Sequence, residues 1–546
     1  MSEDKHRDWM CGDSVDPSAA LPDEPGQEHS AEAPRVKETL YARFHALLRR
    51  DFLVGGIPPR YFITRWIFLR LLAVVHLIAF VSLWVQIDGL IGSRGIAPAN
   101  LLLNLARTRA GVDRYWRLPT LCWLNDSDWY LHLLCGAGAF FALVLLLGYA
   151  PPLCLAALYI LYLSLVSVSP DFLSFQWDSL LLEMTFLAIF FAPLQRRPNL
   201  SKESVHSRVM LLLLRWLLFR LMFTSGVVKL EDATWRNLTA LNYHFETQPL
   251  PTVLGWYAHH LPEWMLKVSV AGMFVIELVV PFLVLAPRRI RGASAGVLIG
   301  FQLLIMATGN YTFFNLLTIA LCLLLLDDRH WRALLPKRFF AWLAPPETIR
   351  RLPFWRKLAM GMLAVPIAMI TGSQMAQLLP NASGPPGWMW PVMEQVHPYR
   401  VANRYGLFAH MTTTRPEIVI EGSDNGADWK AYVFKYKPGP EDRRPARVAP
   451  HQPRLDWQMW FAALRPGHPP NWFLNLCFRL LQGEPEVLSL LGSNPFPERP
   501  PKMIRATLYT YQFTSIEEQR KTGMWWRSTL QGPYMAPMTL DGDGSE

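Results

Sequence analysis

Lys229 ends an apolar run, Phe223-Thr224-Ser225-Gly226-Val227-Val228-Lys229-Leu230, and a polar, aromatic stretch from Glu231 to Thr252 follows at once. Burial disfavours a lysine's charged form, which is how such a residue becomes a base near neutral pH. A lysine at a helix end also snorkels to lipid headgroups. An ionisable group at membrane depth otherwise faces a bundle interior and a partner, and is a candidate site residue for that reason. Neighbouring apolar runs hold the candidate partners. Asp178, Ser179 and Glu183 share one run, with Ser179 and Glu183 four residues apart on one helix face. Arg215 and Arg220 share another, Glu277 sits in a third, and Arg70 with His76 lies in the first. Buried charges must be paired or hydrogen-bonded. The sequence therefore predicts that Asp178 and Glu183 pair with Arg215, Arg220 or Lys229. Such a set either fixes helix register or lines an enclosed reactive or binding cavity. The stretch after Lys229 adds Trp235, Arg236, Asn242, Tyr243, His244 and Glu246 as candidate extracytoplasmic site residues.

Other chemistry finds no footing in the chain. There is no Cys-x-x-Cys, no His/Cys metal spacing, no Gly-rich phosphate loop and no nucleophile elbow. No metal is expected, and His259-His260 reads as an interfacial pair. Of the six cysteines, Cys135, Cys154 and Cys322 fall in apolar runs and Cys11 in the N-terminal tail, so only a Cys122–Cys477 pairing stays open. The net charge of +10 collects in loops between apolar runs, which speaks for anionic lipid and against nucleic acid.

The elements that must position these residues are membrane helices. Hydrophobic residues make up 51% of the 546-residue chain and charged residues 18%, with 22 Trp and 30 Phe; soluble domains carry about 25% charged residues. A helix crosses the hydrocarbon core with about 20 apolar residues. Nine runs approach that length: 65–87, 129–147, 152–168, 175–193, 209–228, 265–286, 293–308, 311–326 and 358–379. The last three are the weakest, and a packed hairpin or re-entrant pair is the alternative for them. The fold class is a polytopic α-helical bundle of about eight or nine transmembrane helices with a C-terminal β-rich extracytoplasmic domain.

Lysine and arginine collect in cytoplasmic loops. With the N-terminus cytoplasmic, the loops around Arg196, Arg288 and 329–357 fall inside and are basic, whereas those near Pro170 and Gly309 carry no lysine or arginine. The loop from Asp88 to Asp128 departs from the pattern through five arginines. Residues 1–50 form a tail without secretory signal character, 51–380 the membrane domain, 381–530 the soluble domain and 531–546 a second tail. Residues 329–357, with Trp331, Phe339, Phe340, Trp342 and Trp355 among basic residues, read either as an interfacial amphipathic segment or as a plain basic connector. In the soluble part, 417–423 and 429–436 alternate like strands around Asp424-Asn425-Gly426 and predict a hairpin. A further strand is expected over 502–513, beyond a helical stretch near 472–491.

These residues carry a family resemblance. Phe172 to Glu183, Arg215-Trp216 through Leu230 and Thr234 to Pro251 resemble the lipase maturation factors. So do Asn403-Arg404-Tyr405-Gly406-Leu407-Phe408, Met411-Thr412-Thr413, Arg415-Pro416-Glu417-Ile418 and Pro453 to Phe461. The resemblance spans about residues 60 to 530. It implies a multi-pass protein that helps secreted lipases reach an active, assembled state, in the endoplasmic reticulum of animals or the inner membrane of a bacterium. Three glycosylation sequons, at Asn125, Asn237 and Asn381, fall on the predicted outer side. Its partners are then membrane lipid and an exported client protein such as a lipase, held by the outer domain and the 231–262 loop, with Trp388, Trp390, Trp429, Trp457 and Trp460 offering apolar contact; no cofactor is expected.

Gly226-Val227-Val228-Lys229-Leu230 followed by acidic residues and Trp235 also resembles the stretch that carries the catalytic lysine of the vitamin K-dependent γ-carboxylases. The alternative this implies is a membrane enzyme acting on a quinone-like or lipidic cofactor, with Lys229 as the base. Where those enzymes carry an active-site histidine, this chain has Asp178 beside Ser179, and an aspartate cannot take that role. The resemblance then implies a shared membrane shell reused for binding.

Overall fold

The computed structural model describes residues 60–109, 111–200, 205–338, 352–378 and 384–540. The expected N-terminal tail and the centre of the 329–357 segment lie outside the described residues. All nine apolar runs are helices: α1 Phe62–Trp84, α2 Asp128–Leu147, α3 Pro151–Ser167, α4 Gln176–Phe191, α5 Arg208–Lys229, α6 Glu263–Leu285, α7 Arg288–Thr308, α8 Phe314–Leu323 and α9 Phe354–Ala376. Among the described residues, α1, α2, α5, α6, α7 and α9 are long and apolar enough to cross a membrane, and α3 and α8 are shorter apolar helices. α4 has 16 residues and carries Asp178 and Glu183. The chain is a multi-pass membrane-type protein, with six candidate spans among the described residues.

Local chemistry sets the ends of these helices. The Ser207 hydroxyl accepts the Met210 N–H at 3.3 Å and caps α5. The Asp328 carboxylate caps α1 from far along the chain, accepting the N–H groups of Phe62 and Ile63 at 3.2 and 3.0 Å. α6 is not uniform. It is α-helical to Phe274, opens into a π turn over Val275–Val279 and tightens to a 3₁₀ turn over Val280–Leu285. Pro281 has no N–H to give the carbonyl four residues back, at Glu277, so the α ladder is interrupted there.

Helix Asp328–Leu334 corrects the interfacial reading of Trp331. That side chain is buried, and its Nε1 donates to the Thr64 hydroxyl at 2.9 Å. Trp355, in the same predicted segment, is exposed.

The C-terminal part contains β1 Arg415–Ser423, β2 Lys430–Ala431, β3 Val433–Phe434, β4 Leu491–Ser493, β5 Met503–Phe513 and β6 Trp526–Met538, with helices Arg454–Ala463 (α10) and Asn471–Leu481 (α11). An antiparallel sheet runs in the order β2-β1-β5-β6, and β3 pairs with β4. The expected hairpin forms, with Gly422 opposite Lys430 and Gly426 at φ +72° in its turn. The expected single strand over 429–436 is broken between the two sheets. The Asp456 carboxylate draws the N–H groups of Tyr436 and Lys437 to 2.8 Å and turns the chain away from β1. The C-terminal boundary also moves. Residues 531–538, read from sequence as tail, complete β6, where Pro533 and Pro537 are tolerated because the strand lies at a sheet edge.

Cys122 and Cys477 are both free and buried. One continuous apolar core runs from Tyr61 in the bundle through Trp457 and Phe473 to Tyr534 in the sheet. The bundle and the β-rich part therefore share a core.

Candidate functional site

α5 and α6 meet at Gly226. A Cβ there would lie 2.7 Å from Leu278 Cδ2 and 3.0 Å from Glu277 Cβ, so the missing side chain is what lets the helices approach. One turn later Lys229 faces Glu277, which sits in the π turn. The Lys229 ammonium donates to both Glu277 oxygens, at 2.7 and 2.6 Å, and its Nζ lies 5.3 Å from the centroid of the Trp235 ring. Both charged residues are buried. Lys229 therefore does not snorkel to the headgroups. It points inward and is paired, with a partner other than Asp178 or Glu183.

The remaining ions form two further clusters, each tied to the C-terminal region. Glu183 pairs with Arg220, as the sequence allowed. Its other oxygen accepts Asn403 N at 3.0 Å, Asn403 Nδ2 at 2.9 Å and the Tyr405 hydroxyl at 2.8 Å. Arg220 donates back to Asn403 O at 2.9 Å. Asp178 departs from expectation. It pairs with Arg454 of α10, at 3.0 and 2.9 Å, and accepts the Tyr162 hydroxyl. Arg454 also donates to Phe172 O at 2.6 Å, so its charge is fully enclosed. Arg215 has no carboxylate in this network; it donates to Leu324 O at 2.9 Å and the Tyr61 hydroxyl at 2.8 Å. Ser179 contributes only its carbonyl, which accepts Asn403 Nδ2 at 3.3 Å.

Residues 231–262 fold into three short helices, Ala233–Arg236, Leu241–Thr247 and Val253–His259. Trp235 donates to Phe408 O at 3.0 Å, and the His244 ring meets the Tyr311 hydroxyl at 3.0 Å. Burial, and secondarily the Lys229 charge, hold His244 down at about 4. Glu246 accepts Phe513 N at 2.7 Å, while burial raises its carboxyl above the usual range. Arg236 is exposed and reaches Leu230 O at 3.2 Å. The Asn242 side-chain oxygen is buried without a partner, and Tyr243 is half-buried. Arg415, paired with Glu417, takes the carbonyls of Glu246 at 2.7 Å and Pro249 at 3.0 Å. Trp460 takes Thr247 O at 2.8 Å. The C-terminal region thus clamps the backbone of the 231–262 segment. Much of this segment, Trp235, His244 and Glu246 included, is engaged in internal contacts. Of the five tryptophans read as contact candidates, Trp388 and Trp390 are exposed, Trp429 and Trp460 are half-buried, and Trp457 is buried.

Asn403, Tyr405, Arg415 and Arg454 do the joining, and sequence reasoning missed their roles. They stood within the peculiar runs 403–408, 415–418 and 453–461, and that density was the available signal. Between the joint and helices α5–α8 lies a cavity of about 870 Å³, lined by the Lys229–Glu277 pair, Trp235, His244 and Tyr311 among mostly apolar side chains. Among the described residues no three His, Cys, Asp or Glu side chains gather in metal-binding geometry.

Known proteins match both parts of the chain in sequence. Residues 63–333 match the Lipase maturation factor transmembrane domain model, and residues 401–536 match the Lipase maturation factor C-terminal domain model. The chain is 38% identical to Lipase maturation factor 2 of Homo sapiens, over 87% of this chain and 82% of that protein. It is 37% identical to Lipase maturation factor 2 of Gallus gallus, over 86% and 80%. It is 34% identical to Lipase maturation factor 1 of Mus musculus, over 88% of each. No solved structure matches. The two family models match in chain order, and the human relative at 38% identity covers 87% of the chain, so the chain belongs to the lipase maturation factor family.

Proposed function

We propose that this protein is a membrane-embedded maturation factor that assists the folding or assembly of exported lipases or similar exported proteins. The observation that carries this reading is the pair of family matches, over 63–333 and 401–536, on a chain whose buried ions join those two regions. The Lys229 ammonium is paired with Glu277 and faces the Trp235 ring, which supports a structural part for it over that of a free base. Asp178, at the position where the γ-carboxylases carry histidine, is taken by Arg454. The reading calls for no redox cofactor. The N-terminus is cytoplasmic and the β-rich region lies on the opposite side, in the lumen of the endoplasmic reticulum or the periplasm according to the host. Trp388 and Trp390 supply apolar contact on that side.

The test is co-expression of a secreted lipase with the full chain or with the Trp388→Ser/Trp390→Ser variant. Secreted lipase activity per unit of lipase antigen should rise with the full chain and rise less with the variant. Unchanged specific activity with the full chain would sink the reading. Glycan attachment at Asn237, lost in Asn237→Gln, checks the orientation in a eukaryotic host, and an unmodified Asn237 counts against it.

A further inference from the structure

We propose that the cavity beside Lys229 and Glu277 binds a neutral acyl-ester lipid, of the mono- or diacylglycerol class, taken from the bilayer. The inference goes beyond the maturation reading and does not depend on the client's identity. The volume of about 870 Å³ lies in the range of built ligand sites, about 300–1,000 Å³. Its floor is made by α5, α6, α7 and α8 through residues such as Met222, Met273, Phe301 and Phe314. Three of those four helices are candidate spans, so the floor belongs to the zone occupied by acyl chains. At the other end stand Trp235, His244 and Phe408, from the joint that the C-terminal region clamps. An occupant must therefore be apolar at one end and able to hydrogen-bond at the other.

The polar groups select the head. Lys229 and Glu277 cancel each other's charge, and His244 is neutral at physiological pH, so the buried groups of the lining offer a carboxylate or a phosphate no unmatched cation, and Arg465, the further arginine on the lining, is exposed to water. Hydrogen-bonding capacity remains. An ammonium carries three donors and Glu277 supplies two acceptor oxygens. The indole N–H groups of Trp177 and Trp457 and the Asn315 side-chain oxygen, all on residues lining the cavity, are buried and have no partner. Unpaired buried polar groups are costly. Ester carbonyls accept from such donors, and a glycerol hydroxyl donates to such an acceptor. A neutral ester head supplies both.

Native mass spectrometry of the full-length protein in detergent, titrated with monooleoylglycerol, oleate and phosphatidylglycerol, tests the proposal. One monooleoylglycerol should bind per chain in preference to both anionic lipids. Ser269 and Ala258 line the cavity with small side chains. Ser269→Trp and Ala258→Trp should each lower monooleoylglycerol occupancy by about tenfold or more while a cooperative thermal transition is retained. Glu277→Gln leaves the ammonium uncancelled and should reverse the preference toward oleate, a readout that a structural defect does not produce. Equal occupancy by all three lipids, binding that neither tryptophan reduces, an unaltered preference in Glu277→Gln, or a co-purifying isoprenoid quinone that monooleoylglycerol does not displace would each overturn it.

Discussion

At Lys229 the ammonium has two carboxylate oxygens within 2.7 Å and an aromatic face 5.3 Å away, and both charged residues are buried. Such a pair is weak evidence for stability as a unit, because desolvation opposes the attraction, but removing one member strands the other charge. Lys229→Met should therefore destabilise the fold by about 3–5 kcal/mol, and Lys229→Met/Glu277→Leu should recover most of that loss. Thermal unfolding in detergent measures both, and a double variant no better than the single one would refute the argument. His244 supplies a pH dependence. Its folded value of about 4 lies below the ordinary 6.5, so the folded protein holds it neutral while the unfolded chain takes up a proton. Its contribution to stability is complete above pH 6.5 and is lost as the pH falls from 6.5 toward 4. His244→Asn should flatten that part of the stability profile, and an unchanged slope would exclude His244 as its source. The residue-level chemistry was partly legible. A lysine, a glutamate and an acidic–basic set in apolar runs announced themselves by type, and Glu183–Arg220 was among the pairings allowed. The Asp178 partner was not legible, because Arg454 lies 276 residues away and reads in isolation as an ordinary arginine near a helix start.

Helices and strands divide along the same line. All nine apolar runs became helices, since length and hydropathy suffice to specify a segment that must satisfy its own backbone hydrogen bonds in lipid. β6 escaped because its prolines and glycine read as breakers, and an edge position that tolerates proline cannot be known before the sheet order is. The joint belongs to this scale as well. α4 presents Asp178 to α10 and Glu183 to residues 403–405, so one helix holds the C-terminal region at two points. Replacing Arg454 by Ala leaves Asp178 buried and unmatched, while Asn403 and Tyr405 still bind Glu183. Hydrogen exchange should then quicken selectively in α10 and around Phe172, with α1 and α5 protected as before. Uniform acceleration would mean that the contact holds the whole bundle together, and no change would mean that it holds nothing.

Across the whole molecule, the division at about residue 380 suggested by composition is a change of environment rather than a break in the core. The composition shift was visible because lipid-facing and water-facing segments need different side chains. The shared core was not, because a buried Trp457 or Trp472 in a strand-and-helix region looks like the interior of an independent domain. In the structure Trp457 packs against Trp177 with ring centroids 4.8 Å apart, Trp472 against Phe172 at 6.0 Å, and Arg415 and Arg454 find their carbonyl and carboxylate partners in the bundle and the 231–262 segment as well as in β1. Expressed alone, residues 384–546 would expose those rings and leave the Arg454 guanidinium without its carboxylate. The fragment should thus be aggregation-prone, or should lack the near-ultraviolet dichroism of fixed tryptophans, whereas the full chain in detergent should unfold with the bundle and β-rich signals changing together. A soluble fragment with a sharp thermal transition of its own would show that the joint is a docked interface between two self-sufficient bodies, and the ions at Asp178 and Glu183 would then be latches between domains rather than parts of one core.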